Sequence, residues 1–172
     1  MENKVLKIIK SRVSCRAYNE KKVSLKKALE VAEAGKYAPS AKNRQIANVY
    51  VVNSKRYVEK LRTLSLNELN RDCMYGAKTI ILVGAPREDM FTDKDCSCIL
   101  ENMFVAAHAL KIDSCWINQF DDLFETPKGK RIKARLGIPE DHRIVGSAAL
   151  GYAKHPEKLE IKERKADFIS IK

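Results

Sequence analysis

Two arginines and a serine stand at alternate positions near the start of the chain, where residues 12–18 read Arg-Val-Ser-Cys-Arg-Ala-Tyr. The guanidinium groups of Arg12 and Arg16 and the hydroxyl of Ser14 suit an anion with several oxygens, of which phosphate is the commonest. A phosphomonoester carries about two negative charges at neutral pH, which two or three cations would match. Taken alone, these residues are better explained as the basic end of a helix, where cations are favoured by the C-terminal dipole.

A second polar segment, residues 38–45, reads Ala-Pro-Ser-Ala-Lys-Asn-Arg-Gln and directly follows a predicted helix. Turns of this composition present hydrogen-bonding groups toward a polar ring edge or a partner surface. The candidate binding residues in this turn are Pro39, Ser40, Asn43 and Gln45. Alternatively, these side chains only satisfy the backbone of their own loop.

The spacing of apolar residues predicts the elements that must position these two segments. Helices are predicted over residues 5–11, 24–35, 54–66, 93–110 and 126–137. The predicted N-caps are Ser24, Ser54 and Thr126, and Gly137 is the predicted C-terminal stop of the last helix. The predicted core face of the 93–110 helix consists of Ile99, Met103, Ala106, Ala107 and Leu110. Strands are predicted over residues 48–53, 80–83, 114–118 and 144–152. This alternation is typical of layered helices and sheet, although periodicity does not show whether the strands run parallel. The mixed-charge tail, residues 153–172, has few apolar residues to anchor it.

Length and composition restrict the class of protein. A chain of 172 residues with 45% hydrophobic and 32% charged residues predicts one globular domain over residues 1–172. The longest apolar run, residues 79–83, is far shorter than the roughly 20 residues of a membrane helix. The N-terminus lacks the apolar stretch of a secretory signal, and the five cysteines form no C-x-x-C pair. We therefore expect a reduced, cytoplasmic protein without a membrane partner.

The net charge of +11 is concentrated at the N-terminus, where residues 1–27 hold nine Lys/Arg against Glu2 and Glu20. Nucleic acid is one explanation of a basic chain. It is the less favoured one, because no aromatic side chains interleave with the basic ones as a base-stacking groove requires. A solvated basic helix and one small phosphate ligand explain the excess as well.

Metal binding is not indicated by the cysteines or the histidines. Cys96 and Cys98 lie two apart on a predicted helix, so their side chains point about 200° from each other. The three histidines do not have the spacing of metal ligands. A hydrolase nucleophile needs a paired base, and this histidine-poor chain gives no sign of one. We expect no metal site and no catalytic acid, base or nucleophile.

Together, residues 12–18 and 38–45 resemble the two N-terminal signatures of the nitroreductase family, the flavin-dependent NAD(P)H oxidoreductases. In that family an R-x-S-x-R-x-[FY] segment holds the flavin phosphate, and an A-P-S-x-x-N-x-Q turn approaches the isoalloxazine. The likeness continues through residues 95–117, 136–139 and 150–152. Lys162-Glu163-Arg164 is similar to the C-terminal K-x-R that reaches back to the phosphate.

The resemblance implies an α+β fold with three layers, in which helices enclose a mixed, mostly antiparallel sheet. It implies an enzyme that binds FMN, takes electrons from NAD(P)H and passes them to a small acceptor such as a nitroaromatic or a quinone. The implied cofactor-binding residues are Arg12, Ser14, Arg16, Pro39, Ser40, Asn43, Gln45, Cys115, Trp116, Lys162 and Arg164. For Cys115 and Trp116 a place in the core is an equal alternative. Two other functions stay open, a flavin-holding protein without reductase activity and a basic phosphate- or nucleic-acid-binding module.

The resemblance also implies a homodimer with shared sites, in which residues 12–16 come from one chain and the 38–45 turn from the other. We expect residues 153–172 to pack on the partner subunit. The chain departs from the family at two points that bear on the site. Ile46-Ala47 replaces the usual Pro-Trp, and Lys111-Ile112-Asp113 replaces Gly-Leu-Gly. Asp113 therefore places a side chain where glycine would leave room for close approach of the backbone.

Overall fold

A computed structural model describes residues 3–170, so residues 171 and 172 of the predicted tail lie outside the described range. Its helices are α1 Lys4–Ser11, α2 Leu25–Gly35, α3 Lys55–Leu69, α4 Thr92–Ala109, α5 Phe120–Leu123 and α6 Pro127–Arg135. Its strands are β1 Asn48–Val52, β2 Thr79–Pro86, β3 Asp113–Ile117 and β4 His142–Gly151. Each predicted helix and strand is therefore present, with ends that shift by a few residues.

The four strands form one sheet in the order β1-β2-β4-β3, and every neighbouring pair is antiparallel. A single parallel bridge between Ser14 and Ser114 attaches the segment after α1 to the β3 edge. The predicted α+β class is confirmed, with β2 and β4 as the buried central strands. Because both faces of these two strands are covered, their sequences are nearly continuous apolar runs.

Helices cover the sheet on both faces, which makes three layers. Along β2, Ile80 and Leu82 point to one face, where they join the cores of α3 and α5. Ile81 and Val83 point to the other face, toward α2 and α4. The period of two along a strand thus divides the apolar residues between two cores.

The predicted helix signals hold at three ends and differ at others. Ser24 Oγ accepts from the Lys27 amide at 3.3 Å, and Thr126 Oγ1 accepts from the Gly129 amide at 3.0 Å. Gly137 follows α6 with a φ of 72°, a conformation that favours glycine. Ser54, however, makes no side-chain capping bond, and α3 continues past the predicted end to Leu69.

The core helix α4 begins one residue before the predicted Asp93, and its buried face is rotated from the predicted one. Met103 and Ala107 are buried as predicted, whereas Ile99 is only half-buried. Leu100 and Phe104 are buried as well, although the helical pattern did not identify them. The short α5 was not predicted either, because four residues are too few to show a periodic pattern.

Candidate functional site

All five residues that are predicted to bind a phosphate line the same cavity. Its volume is about 360 Å3, and we call it the basic pocket. Its lining consists of Arg12, Val13, Ser14, Arg16, Lys158, Leu159, Glu160, Lys162 and Arg164. The two groups of cations lie about 150 residues apart in the sequence, so their meeting depends on the fold.

The first wall of the basic pocket is the extended segment after α1. The Cys15 amide donates to the Ser114 carbonyl at 2.9 Å, and the Cys15 side chain is buried in the core. Since side chains alternate along extended backbone, Ser14 and Arg16 point away from the core. Arg12 is half-buried and lies 5.9 Å from the centre of the Phe104 ring. This segment therefore presents its polar side chains on one side.

The second wall is the tail, which begins beside the first wall. The Lys154 amide donates to the Ala17 carbonyl at 2.9 Å, and the Asn19 amide donates to the Tyr152 carbonyl at 2.9 Å. Asp113 Oδ2 accepts from the Ala153 amide at 2.7 Å. Farther along the tail, Lys162 and Arg164 line the basic pocket.

The charges of the basic pocket are unbalanced. Among residues 3–170, no carboxylate forms an ion pair with Arg12, Arg16 or Arg164. Lys162 pairs with Glu160 at 2.9 Å, and this lysine holds the pKa of Glu160 below its usual range. Unpaired guanidinium groups beside a hydroxyl are the donor set that fits a phosphomonoester. Lys158, a further cation in this lining, was not singled out from the sequence.

Residues 38–45 form a second region, which we call the polar turn. Three of its residues have positive φ angles, 54° at Lys42, 54° at Asn43 and 51° at Gln45. The left-handed region costs a residue other than glycine about 1–2 kcal/mol, although asparagine tolerates it well. Such backbone persists only where the surroundings impose it, and it is common at binding sites.

Hydrogen bonds inside the polar turn join its candidate binding residues. The Gln45 amide donates to Ser40 Oγ at 3.2 Å, and Gln45 Nε2 donates to Asn43 Oδ1 at 2.9 Å. These side chains therefore bond within their own loop, as the alternative interpretation expects, but the two bonds use only some of their donors and acceptors. Asn43 and Gln45 are exposed and keep donors and acceptors for a ligand.

Two carboxylates outside the polar turn hold it in place. Asp95, in the first turn of α4, accepts from the Ala41 amide through Oδ1 at 3.0 Å. Asp89 accepts from both terminal nitrogens of Arg44, at 2.8 and 2.9 Å. Asp95 was missed by the sequence reasoning, although an acid in the first turn of the core helix was the available signal.

A small cavity of about 250 Å3 borders the polar turn, and Pro39, Ser40, Gln45 and Asp95 contribute to its lining. Asp95 is buried, and within residues 3–170 its Oδ2 has no hydrogen-bond partner. Most buried polar atoms in proteins are paired. A carboxylate oxygen of a residue that lines this cavity is therefore left unsatisfied by residues 3–170.

The basic pocket and the polar turn lie at opposite ends of α4. The Ser11 hydroxyl, just before Arg12, lies 2.8 Å from Nε2 of His108, whereas the polar turn contacts Asp95. Thirteen residues separate these two contact points on α4, or roughly 20 Å at 1.5 Å per residue. The structure thus brings the five phosphate candidates together and keeps Pro39, Ser40, Asn43 and Gln45 apart from them.

Cys115 and Trp116 on β3 differ in their surroundings. The Cys115 side chain is buried in the core, and burial raises the pKa of its thiol. Trp116 is 38% exposed and packs against Phe104, with 5.9 Å between ring centres. It also covers Gly146, where an added Cβ would lie 2.6 Å from the indole. Cys115 is therefore a core residue, and Trp116 lies at the exposed edge of the sheet.

Three cavities are larger than the basic pocket, of about 600, 510 and 390 Å3, and they offer weaker sites. Several acids in their linings form ion pairs with neighbouring cations, as in the pairs Arg62–Asp72 and Arg87–Glu125. Over residues 3–170, no cluster of His, Cys, Asp and Glu could hold a metal ion. Within the same range, no helix combines the length and the apolar character that crossing a membrane requires.

Comparisons with known proteins agree on one family. A model of the nitroreductase family matches residues 9–152. A protein of Archaeoglobus fulgidus that carries the name NADH dehydrogenase/NAD(P)H nitroreductase is 30% identical over 159 residues, which is 87% of this chain and 85% of that protein.

Solved structures give the same result. A Bacteroides fragilis nitroreductase with bound FMN has a TM-score of 0.89 and 32% identity, with 99% of each chain covered. A Desulfitobacterium hafniense nitroreductase with bound FMN has a TM-score of 0.87 and 26% identity over the full length of both chains. The resemblance drawn from the sequence motifs is confirmed.

Proposed function

The chain belongs to the nitroreductase family, and we propose that it is an FMN-dependent NAD(P)H oxidoreductase that passes electrons to a small acceptor. The observation that carries this proposal is the basic pocket, where unpaired cations from both ends of the chain line a cavity that suits a phosphate group. A terminal monophosphate, as in FMN, suits this pocket. The chain has no G-x-G-x-x-G turn for the pyrophosphate of a dinucleotide.

The residues of the basic pocket would hold the FMN phosphate, with Arg12, Ser14 and Arg16 on one side and Lys162 and Arg164 on the other. Glu160 limits the free charge of Lys162, so we assign the larger share to the three arginines. Pro39, Ser40, Asn43 and Gln45 would contact the ring, with Asn43 first among them. The β3 residues Cys115 and Trp116 would border the ring, chiefly through backbone.

A bound flavin would supply the redox chemistry, which is hydride uptake from NAD(P)H followed by electron transfer to the acceptor. The part of this chain is to fix the ring, to leave one face open to donor and acceptor in turn, and to place cations near it. Such a reaction needs no catalytic acid, base or nucleophile from the protein, and we assign none. Nitroaromatics and quinones are the proposed class of acceptor.

We further propose that the active site is shared between two subunits. The polar turn and the basic pocket of one chain lie roughly 20 Å apart along α4, which favours a ring site completed by a second chain. The apolar residues Val5, Leu6 and Ile9 of α1 are about half exposed beside Arg12. In the tail, Ile161, Phe168 and Ile169 are exposed as well, and a partner subunit would cover them.

A cytoplasmic location remains our proposal. The five cysteines are unpaired, and four of them are buried. Free thiols of this kind are typical of reducing compartments.

An absorbance experiment tests the proposed function. The purified protein is incubated with FMN or FAD, freed of unbound flavin, and then mixed with NADH or NADPH without oxygen. We expect it to retain FMN in preference to FAD and to bleach rapidly with a nicotinamide donor. A protein that stays colourless after FMN would contradict the cofactor, and a yellow protein that bleaches only slowly would be a flavin-holding protein without reductase activity.

A further inference from the structure

We propose that Asp113 is a positioning residue, which fixes the start of the tail so that Lys162 and Arg164 reach the phosphate side of the site. This inference rests on the proposed FMN function. Asp113 replaces a residue that is usually glycine in the family, and it is half-buried at the first position of β3. Its carboxylate accepts from the Ala153 amide at 2.7 Å, the shortest distance among the bonds at this junction.

The junction between β4 and the tail is held by the segment that forms the other wall of the basic pocket. Tyr18 and Ala153 form an isolated antiparallel bridge, and Asn19 Nδ2 donates to the Ala153 carbonyl at 3.3 Å. The Lys154 amide donates to the Ala17 carbonyl. One small region therefore sets the position of both walls relative to each other.

The side chain of Asp113 supplies the acceptor for the Ala153 amide, which no backbone carbonyl at this junction supplies. In the register of β3 and β4, Asp113 stands opposite Gly151, two residues before Ala153. Ala153 is buried, so its amide would lack an acceptor if the carboxylate were removed. A glycine at position 113 would leave room for close approach but would offer no acceptor to this amide.

The tail beyond the junction has little else to fix its direction. It contains short 3-10 turns at Pro156–Lys158 and Ala166–Phe168, and Leu159 is its half-buried apolar contact with the core. Ile161 is exposed between Leu159 and the two cations. The orientation of the tail therefore depends on its first residues, because a free chain of this length samples many positions.

Three variants test whether Asp113 acts through this hydrogen bond. Asp113→Ala removes the acceptor and the charge, whereas Asp113→Asn removes the charge but keeps an acceptor oxygen. Asp72→Ala is the matched control, because Asp72 also accepts from backbone amides, those of Met74 and Gly76 at 2.9 Å. Asp72 lines neither the basic pocket nor the cavity at the polar turn.

The measurement is the dissociation constant of each variant for FMN and for riboflavin, which has the same ring but no phosphate. We expect Asp113→Ala to bind FMN about tenfold more weakly, the loss typical of one bond to a charged group, and riboflavin as the wild type does. Asp113→Asn should retain the FMN affinity, and Asp72→Ala should keep the wild-type ratio of the two affinities. Riboflavin binding shows that a variant is folded.

Trypsin cleavage of the tail without flavin gives a second measurement, since the tail contains several lysines and an arginine. We expect faster cleavage after Lys162 and Arg164 in Asp113→Ala than in Asp113→Asn. A wild-type preference for FMN over riboflavin that survives in Asp113→Ala would overturn this inference alone. Equal affinity of the wild type for FMN and riboflavin would overturn the proposed phosphate site and this inference with it.

Discussion

The basic pocket and the polar turn are built in opposite ways. The basic pocket joins two segments from the ends of the chain, and Arg12, Arg16 and Arg164 have no acidic partner among residues 3–170. The polar turn is eight consecutive residues whose Asn43 and Gln45 already bond to each other. It combines strained backbone with external ties to Asp89 and Asp95.

This difference separates two kinds of recognition. Unpaired cations form their strongest hydrogen bonds with an anion, so the basic pocket should distinguish ligands by the presence of a phosphate. A turn that is held from outside is preorganised, so it should recognise the shape and the edge of a ring whatever the ligand's charge. The two regions should therefore respond differently to the same pair of ligands, FMN and riboflavin.

The largest expected effect concerns whether the two regions of one site come from different chains. In a two-fold dimer, each site would contain Arg12 of one subunit and Asn43 of the other. Arg12→Ala and Asn43→Ala are assayed at an FMN concentration that is too low for either variant to be active alone. When the two are unfolded together and refolded as an equal mixture, about half of the dimers should be mixed. Each mixed dimer has one intact site, so roughly a quarter of all sites should regain activity.

The control for this mixture is the pair Arg12→Ala and Arg164→Ala. Both residues line the basic pocket of one chain, so no mixed dimer of these two contains an intact site. We expect this mixture to stay inactive. If the first mixture also stays inactive while mixed dimers are present, the site lies within one chain.

The next largest effect tests whether the basic pocket recognises the phosphate and the polar turn recognises the ring. Arg12→Ala should weaken FMN binding by about 1.5–3 kcal/mol, the range for a hydrogen bond to a charged group, and leave riboflavin binding unchanged. Asn43→Ala should weaken both ligands equally, by about 1 kcal/mol, because the ring is common to both. Titration of the flavin absorbance gives all four values. Equal losses of FMN and riboflavin in Arg12→Ala would show that this residue does not contact the phosphate.

The sequence predicted the two regions unequally well, and the reason is the range of the contacts. The members of residues 12–18 are close in sequence, so alternation along extended backbone already places Ser14 and Arg16 on one side. The external ties were not predictable, since Asp95 lies 54 residues from Ala41 and Asp113 lies 40 residues from Ala153. A pattern reveals local order, but such partners become neighbours only through the sheet and α4.

Asp113 illustrates the limit most directly. From the sequence it was an obstacle, an acidic side chain in place of a glycine. In the fold it accepts a hydrogen bond from the amide that begins the tail. Its function depends on the antiparallel pairing of β3 and β4, and periodicity does not specify which strands pair.

The smallest expected effect is a pH dependence confined to the polar turn. The hydrogen bond from Arg44 is the main reason that the pKa of Asp89 lies below its ordinary value. A lowered pKa in the folded state means that this pair stabilises the fold above the unfolded pKa of about 3.9. That contribution is lost as the pH falls through the folded value.

Asp89→Asn removes this contribution at every pH, so its free energy of unfolding should differ from that of the wild type by a constant amount above about pH 5. Below about pH 4 the difference should shrink, because the wild-type carboxylate becomes protonated as well. Denaturant unfolding at pH values from above 5 down through the folded pKa of Asp89 measures the difference. Glu160→Gln is the comparison from the basic pocket, since Lys162 lowers the pKa of Glu160 too. The Glu160 side chain is 70% exposed, against 19% for Asp89, so solvent screens its ion pair and its replacement should change the free energy of unfolding much less. A pH dependence lost equally in both variants would mean that the tail is held as firmly as the polar turn, and the contrast between the two regions would fail.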